Sequence, residues 1–183
     1  MARISLDPKP TLGYRLVRLV LRRRYGVVLD PVAAAAHNRR VLRTIGLLEA
    51  GAGRWRTLDR DLKALALLAT SARTGCAWCM DFGYWENHHA GVDPAKLRAV
   101  TGWRDSDLYT ALERRVMAYA EAMTATPPEV TDEMVAELRN DLSEAELVEL
   151  TATVGLENLR NRNNAALGLT GQGFKDRCET PAP

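Results

Sequence analysis

Aromatic residues make up only 6% of this sequence, and it holds three cysteines and three histidines. So few cysteines cannot build the disulfide framework of a small secreted domain. Long apolar runs are also missing: the stretch Ala64–Ala69 falls far below the roughly 18 residues a membrane-spanning helix needs, so no membrane span is expected. At the N-terminus, MARISLDPKP leads into a segment broken by Arg15, Arg18 and Arg22, which leaves no apolar core for a secretory signal. A cytoplasmic location is the expectation. Charge of one sign is scarce as well. Lys and Arg total 25 against 23 acids, a net +2 that is too small to steer the whole molecule to nucleic acid or to an acidic membrane.

What is present points to helix. Apolar residues make up 46% of the chain, much of that in alanine and leucine, which lose little rotamer freedom in helices. No stretch alternates apolar and polar residues between turn signals as a strand would. The 183 residues suit one compact all-α bundle. Helical spacing of Leu12, Leu16, Leu19 and Val20 predicts a basic amphipathic helix over 11–24, and Asp30-Pro31 opens a second running to Glu49. Thr57 is the expected cap of a third helix reaching Arg73, and a fourth starts just before Cys76 and ends at His89. Asp93-Pro94, then Ser106 or Asp107, then Thr131, then Ser143 with Glu146 start the rest. The organisation expected is a basic helix over 1–29, a core over 30–170 and a flexible tail over 171–183, ending in CETPAP.

The sharpest signal is Cys76-Ala77-Trp78-Cys79. On a helix, residues three apart sit about 5–6 Å from Cβ to Cβ, near enough for a disulfide. At a helix start, unpaired amides and the macrodipole favour thiolate, the attacking species in disulfide and peroxide chemistry. Two other readings stand beside a redox pair. Two such cysteines are half of many zinc sites, but the other candidate ligands, His37, His88, His89 and Cys178, lack finger spacing, and adjacent histidines point about 100° apart; no metal is expected. Both thiols could also be buried small apolar residues.

The stretch LKALALLATSARTGCAWCMDFGYWENHHAG resembles the core motif of the carboxymuconolactone decarboxylase superfamily, in its alkylhydroperoxidase-like branch. HNRRVL upstream, and the text from DLYTALERRV to NNAALGL downstream, resemble the same family, so the likeness spans about residues 30–170. It implies an all-α homo-oligomer and a thiol peroxidase in which Cys79 attacks a small-molecule peroxide and Cys76 resolves it. It implies no bound cofactor, only an external dithiol or a thioredoxin-like protein as reductant. Helix electrostatics alone would favour Cys76 as the more acidic thiol.

The family's peroxidases also carry a proton relay, and its positions here hold Ala64, Trp78 and Gly83, none of which moves a proton. Candidate replacements are Glu86, two turns or about 10.5 Å beyond Cys79, and His37 from a separate helix. Trp78 and Phe82, with Met80, are candidate pocket walls. Asp81 points to another face and is expected to cap or pair structurally. Glu157, Arg160 and Arg162 are expected to pair along their helix. The alternative to a working peroxidase is a slow redox sensor or redox-inactive oligomer of the same fold, given the missing relay. Binding of nucleic acid through Arg15, Arg18, Arg22, Arg23 and Arg24 is not expected, because the acids nearly balance the bases.

Overall fold

The computed structural model describes residues 2–179, with the side chain of residue 179 outside the description. The described residues form helices and connecting turns, with no strand. They divide into two compact units: Met1–Arg54 with Asn164–Thr170, and Trp55–Asn163 with Gly171–Pro183.

The first unit contains α1 (Leu12–Tyr25), α2 (Asp30–Ala35) and α3 (Arg39–Ala52). Thr11 caps α1 by accepting the Tyr14 N–H, and Gly26, at φ 76°, ends it in the left-handed conformation. The single helix expected over Asp30–Glu49 is broken. Asn38 leaves helical geometry and its side chain accepts the N–H groups of Arg40 and Val41, so a cap inside the segment starts α3 afresh. The apolar stripe of α1 faces out, with Leu12 at 84% and Leu16 at 64% exposure, and α3 has no buried residue at all. Arg3 closes the end of the last long helix: its guanidinium donates to the carbonyls of Ala165 and Ala166 at 2.9 and 2.8 Å, where orphan acceptors and the negative helix pole favour a cation.

The second unit is built around α4 (Arg60–Thr74), which packs most extensively on α7 (Ala111–Thr124) and next on α5 (Ala77–His89). Leu65, Ala66 and Ala69 of α4, Val116, Met117 and Ala120 of α7, and Leu150 and Val154 of α9 (Glu144–Leu167) are fully buried. Alanines at these contacts let the helices approach while the larger side chains each contribute roughly 1.5–3 kcal/mol by leaving water. Between α5 and α7 lie α6 (Pro94–Ala99) and a 3₁₀ turn, Val100–Asp105; α8 (Asp132–Arg139) precedes α9, and α10 (Asp176–Glu179) follows it.

Several starts fall where the sequence placed them: Asp93 caps α6, Thr131 caps α8, and Ser143 and Glu146 exchange capping bonds at the head of α9. Two caps differ. Asp59, not Thr57, caps α4, because its carboxylate accepts the N–H groups of Asp61 and Leu62, while the Thr57 N–H is bonded to Glu149 at 2.8 Å. Thr110, not Ser106 or Asp107, caps α7 through a full capping box with Glu113. The stretch 171–179, expected to be a flexible tail, is docked on α5, and Phe174 within it is completely buried. Residues 180–183 of that stretch lie outside the described residues.

Candidate functional site

The local sequence Thr74-Gly75-Cys76 explains where the cysteine pair sits. Gly75, at φ 69°, ends α4 in the left-handed region that a side chain would disfavour, and the Cys76 N–H returns to the Ser71 carbonyl at 3.0 Å. The chain therefore reverses in one residue. Cys76 then caps α5, its sulfur accepting the Cys79 N–H at 3.3 Å, and Cys79 lies in the first turn. The two sulfurs are bonded as a disulfide with Cα atoms 5.3 Å apart, inside the usual range for such a bridge. Both cysteines are nearly buried, at 3% and 5% exposure, while Gly75 and Ala77 beside them are exposed. Solvent thus reaches the edge of the pair, not its whole surface. The buried-thiol reading and the redox reading meet here: the cysteines are covered, and the sulfurs are joined rather than turned apart.

The positions that correspond to the relay are occupied by structural groups. Ala64 is in the core at 1% exposure, and a Cβ added at Gly83 would stand 3.1 Å from Leu68 Cδ2. Trp78 stacks on Phe82 at 5.0 Å between ring centroids and donates its indole N–H to Gln172 Oε1 at 2.9 Å. Phe82 in turn meets the edge of Phe174. The expected pocket walls Trp78 and Phe82 form a packed aromatic row against the C-terminal segment, while Met80 packs on the core. Glu86 is exposed on α5. His37 belongs to the first unit and is exposed, with Nε2 2.8 Å from the Ser5 carbonyl.

Asp81 does what its position suggested. Its carboxylate accepts the backbone N–H groups of Gln172 at 2.6 Å and Lys175 at 2.8 Å, pinning residues 171–175 onto α5. Gly171 fits closely there, because a Cβ would lie 3.1 Å from Asp81 Oδ2 and push the carboxylate back.

Sequence reading missed a buried polar cluster behind the cysteine turn. Ser71, whose carbonyl holds Cys76, donates its hydroxyl to Glu157 Oε1 at 2.9 Å, and Glu157 pairs with Arg160 at 2.9 Å, as the intrahelical expectation required. Asn161 is also buried, its side-chain oxygen 3.4 Å from the Ser71 hydroxyl. A serine has one hydroxyl proton, already given to Glu157, so the Asn161 contact carries a bond only with the amide turned to donate its nitrogen, the group otherwise left unpaired. Three or four residues apart on α9, Thr153, Glu157, Asn161 and Asn164 continue the buried face of Leu150 and Val154 in polar side chains. That replacement of an apolar stripe by polar residues was the available signal. Arg162 reaches instead to Thr126 Oγ1 at 3.2 Å.

At the other end of α5, His88, His89 and Cys178 bring possible ligand atoms within 4.8 Å of one another. Elsewhere, a concave patch of the first unit, lined by residues that include Asp7, Tyr14, Arg18 and Arg22, contains no cysteine. Burial, more than the nearby Arg18 and Asp7 charges, pushes the Tyr14 hydroxyl up. Among the described residues, no helix is long and apolar enough to cross a membrane.

Comparison with known proteins agrees with this geometry. The sequence model of the carboxymuconolactone decarboxylase family matches residues 40–122. The uncharacterized protein YnjA of Escherichia coli is 32% identical over 161 residues, covering 87% of each chain. The fold is similar to that of an uncharacterized peroxidase-related protein from Ralstonia eutropha with an alkylhydroperoxidase core, at TM-score 0.81, 19% identity and 100% of each chain. It is also similar to the debrominase Bmp8 in complex with 2,3,4-tribromopyrrole, at TM-score 0.83, 20% identity and 97% of each chain.

Proposed function

The chain belongs to the carboxymuconolactone decarboxylase family, and from that premise we propose that it is a thiol-dependent peroxidase or disulfide oxidoreductase cycling Cys76 and Cys79. The observation that carries this reading is the sulfur–sulfur bond at the capped start of α5. In the reduced protein, Cys79 thiolate attacks one peroxide oxygen. The S–O bond forms, the O–O bond breaks, and the departing alkoxide takes a proton to leave as an alcohol. Cys76 thiolate then attacks the Cys79 sulfenic acid, hydroxide leaves and is protonated to water, and the disulfide forms. An external dithiol, such as a thioredoxin-like protein, returns two electrons and two protons. No bound cofactor is needed. The exposed edge at Ala77 is the way in for a small peroxide and for the reductant's sulfur.

Ser71 and Glu157 are positioning residues in this scheme, because Ser71 fixes Cys76 through its carbonyl while its hydroxyl is held by the buried carboxylate. Glu86, on the same helix, is the further candidate for moving the proton. A cytoplasmic, homo-oligomeric enzyme with a peroxide and a thiol protein as its partners completes the proposal.

The test uses the fully reduced protein. Stoichiometric peroxide should remove two hydrogens' mass, mapped to Cys76–Cys79 and restored by dithiothreitol; unchanged mass, or oxidation mapped elsewhere, overturns the reading. A second reading is favoured by Ala64, Trp78 and Gly83 at the relay positions: the pair oxidises slowly and signals rather than turns over. Catalytic turnover no faster than that of Cys79→Ser supports it. The likeness to Bmp8 adds a substrate arm, since the two electrons and one of the two protons released when the dithiol becomes a disulfide would replace carbon–bromine by carbon–hydrogen, with bromide leaving and the second proton going to solvent.

A further inference from the structure

We propose that His88, His89 and Cys178 form a zinc-type divalent metal site at the C-terminal end of α5, one that clips the C-terminal segment to that helix. Three observations converge. First, their ligand atoms all lie within 4.8 Å of one another. A tetrahedral zinc ion with nitrogen and thiolate ligands needs those atoms about 3.3–3.6 Å apart, so the three side chains must draw closer to close the site. Second, His89 Nδ1 lies 2.8 Å from the Trp85 carbonyl, an acceptor only, so this nitrogen carries the proton and Nε2 holds the lone pair. A carbonyl holding the far nitrogen is the usual support of a metal-bound histidine. Third, the site stands at the end of a 13-residue helix, whose last carbonyls favour a cation.

Sequence spacing argued against metal because adjacent histidines diverge on a helix. The fold overturns that objection by supplying the third ligand from outside the helix. Cys178 arrives on α10, carried there by Phe174 packed against Phe82 and Trp85 and by the Asp81 bonds to the preceding backbone. Its sulfur lies 3.9 Å from His89 Nδ1, which places the thiol beside the imidazole, though on the side of its protonated nitrogen rather than of Nε2. The set is two imidazoles and one thiolate, a borderline-soft combination suited to zinc and unsuited to calcium or magnesium. On binding, the Cys178 thiol gives its proton to solvent, the sulfur–metal bond forms, and a water takes the fourth position. The consequence is a cross-link between α5 and α10 that leaves the Cys76–Cys79 pair untouched.

The experiment is a zinc titration against a chromophoric chelator. Because reduced Cys76 and Cys79 could take metal themselves, it uses protein with that pair oxidised, and is repeated in a C76S/C79S background. One zinc per chain is expected, weakened at least about tenfold by His88→Gln and by His89→Gln, and more by Cys178→Ser. Cobalt substitution should give tetrahedral bands and a thiolate charge-transfer band that Cys178→Ser removes. Circular dichroism identifies any variant that fails to fold; the two histidine substitutions are at the surface and serve if Cys178→Ser does. Zinc binding equal in all three variants, or cobalt spectra without thiolate character, overturns the site.

Discussion

The two ends of α5 both hold sulfur, and they hold it against opposite poles of the same helix. At the start, Cys76 and Cys79 sit in the first turn, where the Cys79 amide points at the Cys76 sulfur, nearly out of solvent and joined to each other. At the end, Cys178 approaches two histidines where the helix presents carbonyls, at a partly open surface. A positive pole lowers the cost of a thiolate that must attack; a negative pole lowers the cost of a bound cation. On the two proposals, the same element would separate electron transfer from metal binding by its length, about 20 Å for 13 residues.

The separation breaks most visibly with Cys79→Ser. Peroxide turnover should fall about a thousandfold, roughly 4 kcal/mol of activation free energy, while zinc affinity measured by chelator competition stays within a factor of two. Equal losses at both sites would show that the ends are coupled. Next is Phe174→Ala, which removes a fully buried ring from the contact that carries α10 to α5. A loss of roughly 3 kcal/mol in urea unfolding is expected, with zinc binding weakened and the disulfide still able to form. Asp81→Asn sharpens the comparison further. It keeps the shape but weakens two charge-assisted bonds to Gln172 and Lys175, so it should cost about 2 kcal/mol and affect the histidine end far more than the cysteine end.

The smallest effect tests the frame common to both ends. Burial pushes the Glu149 carboxyl up, but the Lys63 bond and charge and the Thr57 and Leu58 amides outweigh it, and the net shift is down from 4.5. A lowered folded value means stability that is present above the unfolded value and lost as pH falls through the folded one. Glu149→Gln should thus cost about 1 kcal/mol at neutral pH, with the gap to wild type closing below about pH 4 in pH-dependent unfolding, and with equal consequences at the two ends of α5.

Much of this was readable in the residues. Helix starts that rest on one side chain and its neighbours, such as Asp93, Thr131 and Ser143, are local chemistry and were legible. So was the cysteine pair, because three-residue spacing and a capping position are both local. The cap at Asn38 was hidden by the apolar run Val32–Ala36 that precedes it, and Thr57 lost the capping role to Asp59, two positions on, while its own N–H went to Glu149, 92 positions away. Ser71 meeting Glu157, and Cys178 meeting His89, depend on tertiary packing that no periodicity encodes. The docking of residues 171–179 was not legible, because it depends on Gly171 being small where backbone presses against Asp81 and on Gly173 turning at φ 71°. Alpha-helical patterning identified the apolar stripe of α1 but not its direction, since Leu12 and Leu16 face outward within the chain.

The tight crossing at Gly83 has a bearing on descent. With Leu68 Cδ2 only 3.1 Å from any new side chain's first carbon, a histidine arising there alone would enter an already filled space. The Leu68 methyl would first have to give way by a few tenths of an ångström, which a smaller residue at 68 would ease. Directed evolution for faster peroxide removal should accordingly return histidine at 83 together with a smaller or repacked residue at 68.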